Sequence, residues 1–360
     1  MKRSAITRNL PLLVLLPAML LLIAKPQLAA TAVTDGLRLC ARVLIPALFP
    51  FFVCADLFTS LGYAQKLSTL SAPLMKKLFG TGGAGAAAFL LGLVGGYPSG
   101  AQVCADLYTT GAVSEEEANR LVLFCSNAGP AFVFGVMGAE VFASVRAGLV
   151  LYASQILSAI GMGLLLKRKG AADPGGSAAS VQEKSVSECF THAVKKAGQS
   201  VLQISMFVTI FSVISTFALL PLERLVPASV LPLLRGALEL SGGAEALKGA
   251  ACPFALKLAA AAFLLAFSGL SVLAQTACVL SQAGLHPAGL LGAKLLQGLL
   301  AAGWALLLAP LIPYLGAAAT FSIQESRSFR PSIAVFSVAA ASICFIFLKL
   351  LSGNRRKNGV

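Results

Sequence analysis

Charge is what this sequence has least of. Only 12% of its 360 residues are charged, whereas 57% are hydrophobic. A soluble domain devotes about a quarter of its residues to charge, so this chain could not cover a water-facing surface. Tryptophan occurs once and histidine twice. His192 lies in an amphipathic stretch and His286 precedes Pro287 at a turn, positions that suit a surface or capping role. There is no H-E-x-x-H, no G-x-S-x-G and no P-loop, so neither a nucleophile with its base nor a catalytic metal is signalled. The eight cysteines contain no C-x-x-C pair and lie mostly in apolar segments, as small buried hydrophobes do. These absences argue against an enzyme, a disulfide framework, a bound metal and a cofactor.

What is present is apolar sequence in long runs, with mean hydropathy +0.84. Stretches close to the roughly 20 residues needed to cross a bilayer recur throughout. The net charge of +14 is gathered beside them: Lys2, Arg3 and Arg8; Lys66, Lys76 and Lys77; Lys167, Arg168 and Lys169; Arg355, Arg356 and Lys357. That is the pattern of the positive-inside rule, with anionic lipid as a natural neighbour. No basic face is interleaved with aromatics, which excludes nucleic acid. The expected class is an all-α polytopic membrane protein whose partner is the lipid bilayer. A homo-oligomer is compatible with the sequence.

The runs divide the chain. Residues 1–30 read as a signal-anchor helix, with its apolar part at 10–28. Residues 31–169 form a first unit, 170–187 a Gly/Ala/Ser-rich linker, 188–352 a second unit and 353–360 a basic tail. In the first unit an amphipathic piece (35–42) leads into an apolar span (43–61) and a basic loop. An apolar segment at 84–108 follows, broken by Gly95-Gly96-Tyr97-Pro98-Ser99-Gly100. Ser114 and Glu117 suit a helix N-cap and capping box. The next span (121–142) is broken at Asn127-Ala128-Gly129-Pro130, and 145–166 is uninterrupted. In the second unit the spans are expected at 201–220, 289–312 and 333–351. Between them, 256–282 is broken near Ser268-Gly269, and 235–247 carries Glu239 and Ser241-Gly242-Gly243.

The two units echo each other. Phe89-Leu90-Leu91 recurs as Phe263-Leu264-Leu265, Ala101-Gln102 as Ala274-Gln275 and Gly111 as Gly284, at nearly constant spacing. Taking 84–108 and 256–282 as re-entrant hairpins leaves three crossings per unit. An odd number inverts the second unit, a recurrent transporter design. That count puts the basic tail on the side opposite the basic linker, against the charge rule. Either 235–247 also enters the membrane or one span is miscounted.

Broken helices in hydrocarbon free backbone groups that cost several kcal/mol each when unpaired, so they must be buried in protein or line a cavity. Half-helix N-termini at such breaks suit an anionic solute. The candidate solute site therefore comprises Gly95, Gly96, Tyr97, Pro98, Ser99, Gly100 and Gln102 at the first hairpin. It adds Ser126, Asn127, Gly129 and Pro130 at the following break, then Ser268, Gly269, Ser271 and Gln275 in the second unit. Asn127, beside Gly129-Pro130, is the strongest single candidate. Each serine could instead bond its own helix and each glutamine pack between helices. Glu239 is the candidate for ion or proton coupling, with Asp106 a weaker one.

The segments GLVGGYPSGAQVCADL (92–107) and SEEEANRLVLFCSNAGPAFVFG (114–135) resemble the sporulation integral membrane protein YlbJ family, within the nucleoside-recognition, or Gate, group. Gly36-Leu37-Arg38, residues 46–52, 238–243 and 267–275 also fit it. The resemblance implies a fold like the concentrative nucleoside transporters, with paired hairpins facing across a site. It also implies transport of dipicolinate, a small planar dianion, from mother cell to forespore at the outer forespore membrane. The family's second tip is expected to be richer in glycine than Phe267-Ser268. The alternatives are a permease for nucleoside-like or other small solutes, and a membrane scaffold of spore assembly that transports nothing.

Overall fold

The computed structural model describes residues 5–167, 185–222 and 225–314. Most of the predicted linker, the span at 333–351 and the basic tail lie outside the described residues. Within them every regular element is helical. Five helices are long and apolar enough to cross a membrane: Pro26–Ser60, Val145–Leu165, Val186–Leu219, Phe254–Gln282 and Leu290–Ile312. The chain is a multi-pass membrane protein.

Helix α1 (Ala5–Ala24) is followed by α2 (Pro26–Leu39), which opens on a proline where no N–H is needed. The amphipathic piece expected to lead into a separate span is continuous with it. A π-helical turn, Cys40–Leu44, joins α2 to α3 (Ile45–Ser60). Pro46 and Pro50 cannot complete an α-helical ladder, and a wide turn beside them relieves the mismatch. The basic segment expected as a loop is instead helix α4 (Tyr63–Phe79). Lys76 and Lys77 sit in its last turn, where the helix dipole favours cations, and Gly80 ends it at φ 65°.

Next, α5 (Gly83–Gly95) and α6 (Ser99–Thr109) pack against each other around residues 96–98, which include a cis Tyr97-Pro98 bond. Their approach depends on glycine. A Cβ on Gly92 would lie 1.8 Å, and one on Gly100 2.3 Å, from the Cys125 carbonyl oxygen. Helix α7 (Glu115–Cys125) starts on the expected cap, Ser114, whose hydroxyl accepts from Glu117 N at 3.2 Å. The Glu117 carboxylate pairs with Arg120 at 2.6 Å. Arg120, 7% exposed, also donates to the carbonyls of Phe79 and Leu166, tying together the ends of α4 and the next long helix. Residues 126–129 are non-helical, a π-helical segment (Ala131–Val141) follows Pro130, and α8 (Val145–Leu165) completes the unit.

The second unit opens with α9 (Val186–Leu219), started by a Ser185/Glu188 capping box. It runs antiparallel to α2–α3 along their whole length: Ser212 bonds the Ala32 carbonyl at 3.0 Å, and Lys196 pairs with Asp56 at 3.3 Å. Gly36 lets the backbones close in, since a Cβ there would lie 3.0 Å from Thr209 Cα. Then α10 (Leu231–Leu238) and α11 (Leu240–Lys248) fold back at Glu239, with Gly243 against Gly236. Helices α12 (Phe254–Phe267) and α13 (Gly269–Gln282) form one 29-residue span interrupted only by Ser268, at φ 74°. Helix α14 (Leu290–Leu308) and a short 3-10 turn end the described chain.

This corrects the expected second hairpin. Residues 256–282 do not fold back; the segment that does is Leu231–Lys248, because Gly236 and Gly243 allow two backbones to touch. Both units then share one order: a glycine-backed hairpin, a broken helix and a long helix.

Candidate functional site

At each break the helical ladder stops and leaves carbonyls without an i+4 partner. Side chains from other helices supply donors. At the first hairpin, Leu93 O accepts from Tyr152 of α8 at 3.2 Å. At the next break, Ala128 O accepts from Gln155 Nε2 of α8 at 2.6 Å, and Ser126 O accepts from Lys294 Nζ of α14. Asn127, fully buried, donates to Phe124 O at 2.8 Å and accepts from Gln297 Nε2 of α14 at 2.7 Å. In the second unit, Leu265 O is bonded by the hydroxyl of Tyr97, from the tip of the first hairpin. The breaks are thus satisfied by protein, as hydrocarbon requires.

Glycine contacts bind each hairpin to its own break. A Cβ on Gly96 (φ 75°) would lie 2.7 Å from Gly129 N, and one on Gly269 (φ 74°) 2.7 Å from Gly236 O. The two tips therefore converge on one place. A cavity of about 40 Å³ lies there, lined by Gly95, Gly96, Tyr97, Gly129, Gln275, Glu239 and Ser241. It is scarcely larger than a water molecule.

Two larger cavities flank it. The first, about 520 Å³, is lined by Pro98, Ser99, Gln102 and Asp106 of the hairpin, Asp56 of α3 and His192, Lys195 and Lys196 of α9. The second, about 450 Å³, is lined by Arg38 and Arg42, by Ser212 and Thr216 of α9, and by Arg235, Glu239 and Glu245. Gly95 borders both the first and the central cavity; Glu239 and Val208 border both the central cavity and the second. Along α9, residues 192–203 line one chamber and 208–216 the other. The middles of these stretches lie roughly 22 Å apart at 1.5 Å per residue, about three-quarters of the roughly 30 Å thickness of a bilayer's hydrocarbon core.

The sequence-predicted residues differ in where they lie. Gly95, Gly96, Tyr97, Pro98, Ser99, Gln102, Gly129 and Gln275 line a cavity. Ser126, Asn127, Gly100 and Gly269 lie behind the walls: the first two are hydrogen-bonded to α14 and the glycines are spacers. Pro130 begins the π-helical segment, while Ser268 supplies the left-handed turn. Ser271 is buried next to Gln275, its hydroxyl 3.5 Å from the amide. Glu239, 2% exposed, caps α11 with both oxygens, accepting from Ser241 N at 2.9 Å and Gly242 N at 2.5 Å. Among the described residues no cluster of His, Cys, Asp and Glu could hold a metal ion.

Sequence reasoning missed Lys294, Gln297 and Gln155. The signal was available for the first two: a lone lysine in an apolar span with glutamine three residues on, hence on one helix face. It also missed the polar stripe of α9, whose partners come from α3 and the first hairpin.

Residues 41–144, which hold the first hairpin and the first break, match the Gate family, described as nucleoside recognition. Over 321 residues the chain is 26% identical to the sporulation integral membrane protein YlbJ of Bacillus subtilis (strain 168), covering 79% of each protein. The chain resembles YlbJ. The likeness carries the motifs around Tyr97 and Asn127 and points to a sporulation or transport membrane protein, not a known enzyme family. No solved structure matches.

Proposed function

We propose that this chain is a transporter of a small anionic solute, moving dipicolinate from mother cell toward forespore across the outer forespore membrane. The observation that carries the transport reading is the row of three cavities: two chambers roughly 22 Å apart along α9, closed off from each other where the hairpin tips meet. The central space is too small for a ring-bearing solute, so passage requires the tips to part. A scaffold would have no use for such a row. An anion finds Lys195 and Lys196 in one chamber and Arg38 and Arg42 in the other, with the N-terminus of α6 at Ser99 beside the constriction. Glu239 borders the constriction and is our choice for coupling. The substrate's identity rests on the likeness to the YlbJ family.

We further read the shared order of elements as an inverted repeat of the kind found in concentrative nucleoside transporters. The antiparallel pairing of α2–α3 with α9, the first crossing of each unit, supports the inversion. Moving the second hairpin to Leu231–Lys248 makes 254–282 a crossing. The sequence-predicted span at 333–351 then returns the basic tail to the side of the basic linker, as the charge rule asks.

The Gate description favours a second reading, a nucleoside-like permease. One experiment separates them. The host gene is deleted and dipicolinate is measured separately in mother cells and spores. Purified protein in liposomes is offered labelled dipicolinate or uridine. Dipicolinate-poor spores and dipicolinate uptake are expected. Normal spore dipicolinate overturns the assignment, and uridine uptake alone moves it to the second reading.

A further inference from the structure

The polar node behind the first break holds a feature that solute passage does not explain. Lys294, the fifth residue of α14, is 1% exposed, and no carboxylate among the described residues pairs with it. Its amine reaches two neutral oxygens: the carbonyl of Ser126, freed by the break, and Oε1 of Gln297 at 2.8 Å. Gln297 is itself held by Asn127 Oδ1 at 2.7 Å. Carbonyl oxygens at an unwound helix, joined by a side-chain amide oxygen, are the ligand set with which broken-helix transporters bind a coupling cation. Burying a lysine among them is costly unless it serves that set.

We propose that Lys294 is a tethered cation: its amine fills, from α14, the place that a coupling sodium ion would take at the Ser126–Asn127 break. The break is therefore closed without an ion from solution, and the protein has no sodium site there. Coupling, where it exists, must come from another group, and Glu239 is the carboxylate placed for it. This inference deepens the transport reading and rests on it, but its main readout is stability, which reports on the node whether or not any carboxylate is carried.

The test measures the melting temperature of purified full-length protein in detergent, with choline, sodium, potassium or ammonium as the sole cation. The wild type should melt at the same temperature in all four. Lys294→Ala should lose roughly 5 °C or more in choline and recover at least half of that loss in ammonium or sodium. Lys294→Met, which fills the space with an apolar chain, should lose stability and recover nothing. Stabilisation of the wild type by sodium over choline overturns the proposal. So does a Lys294→Ala protein as stable as wild type in choline, or one that no cation restores. If Lys294→Ala does not yield folded protein, the wild-type series decides alone: indifference supports the proposal and sodium dependence overturns it.

Discussion

The two mid-membrane breaks solve one problem on different scales. The first spans residues 126–129 and leaves several backbone groups without helical partners; Lys294 and Gln155 reach in from two other helices to meet them, and Gln297 holds the Asn127 side chain. The second is one residue wide, Ser268 in a left-handed turn; its own hydroxyl bonds the Phe267 carbonyl, and one group from another helix, the hydroxyl of Tyr97, bonds the Leu265 carbonyl. A wide break needs a dedicated polar node built from distant sequence. A narrow one is served by a group already at the site. The wide break is thereby anchored to helices outside the pathway, whereas the narrow one is anchored to a hairpin tip that must move for a solute to pass.

The comparison can be broken most severely where the first hairpin meets the wide break. Gly92→Ala puts a methyl group within 1.8 Å of the Cys125 carbonyl oxygen, backbone that cannot step aside. A loss of about 3 kcal/mol or more is expected, read as little folded protein on size-exclusion chromatography. Gln297→Leu leaves Asn127 Oδ1 without its donor and Lys294 Nζ without one of its two acceptors. It should cost about 1–3 kcal/mol, seen as a lower melting temperature in detergent. Tyr97→Phe strips the narrow break of the donor that another helix supplies. About 1 kcal/mol is expected, and because the bond joins a tip to the opposite unit, solute uptake should change more than stability does. Ser268→Gly has the smallest effect: relief of a positive φ is offset by loss of the buried Ser268 hydroxyl's bond to the Phe267 carbonyl, leaving a net change within about 1 kcal/mol, read as an almost unmoved melting temperature. An equal cost for Gln297→Leu and Tyr97→Phe would erase the distinction between anchored and mobile breaks.

The breaks themselves were legible in the sequence, because glycine, proline and asparagine in an apolar run announce that a helix stops. Gly96, Tyr97, Asn127 and Ser268 all stand where the ladder ends. The donors that close the breaks were not, since Lys294 and Gln297 lie more than 160 residues from their partners. The second hairpin was misassigned for a related reason. Ser241-Gly242-Gly243 announces a break in 235–247, a segment that could enter the membrane, but the fold-back shows only in Gly243 against Gly236, a contact fixed by tertiary packing. Glycine at Gly269 suggested a fold-back, but nothing there removes an N–H, and α12–α13 continues as one span.

The long helix α9 has a consequence of its own. Both chambers share a single uninterrupted rod, so the angular phase of residues 192–203 dictates that of 208–216. One residue inserted between those stretches would turn the second set by about 100°. Ser212 and Thr216 would swing out of their chamber while hydropathy and length hardly changed. The pair of chambers is in this sense a matter of rotational register: at 100° per residue the two lining sets fall on nearly opposite sides of the rod, and the number of residues between them fixes that placement.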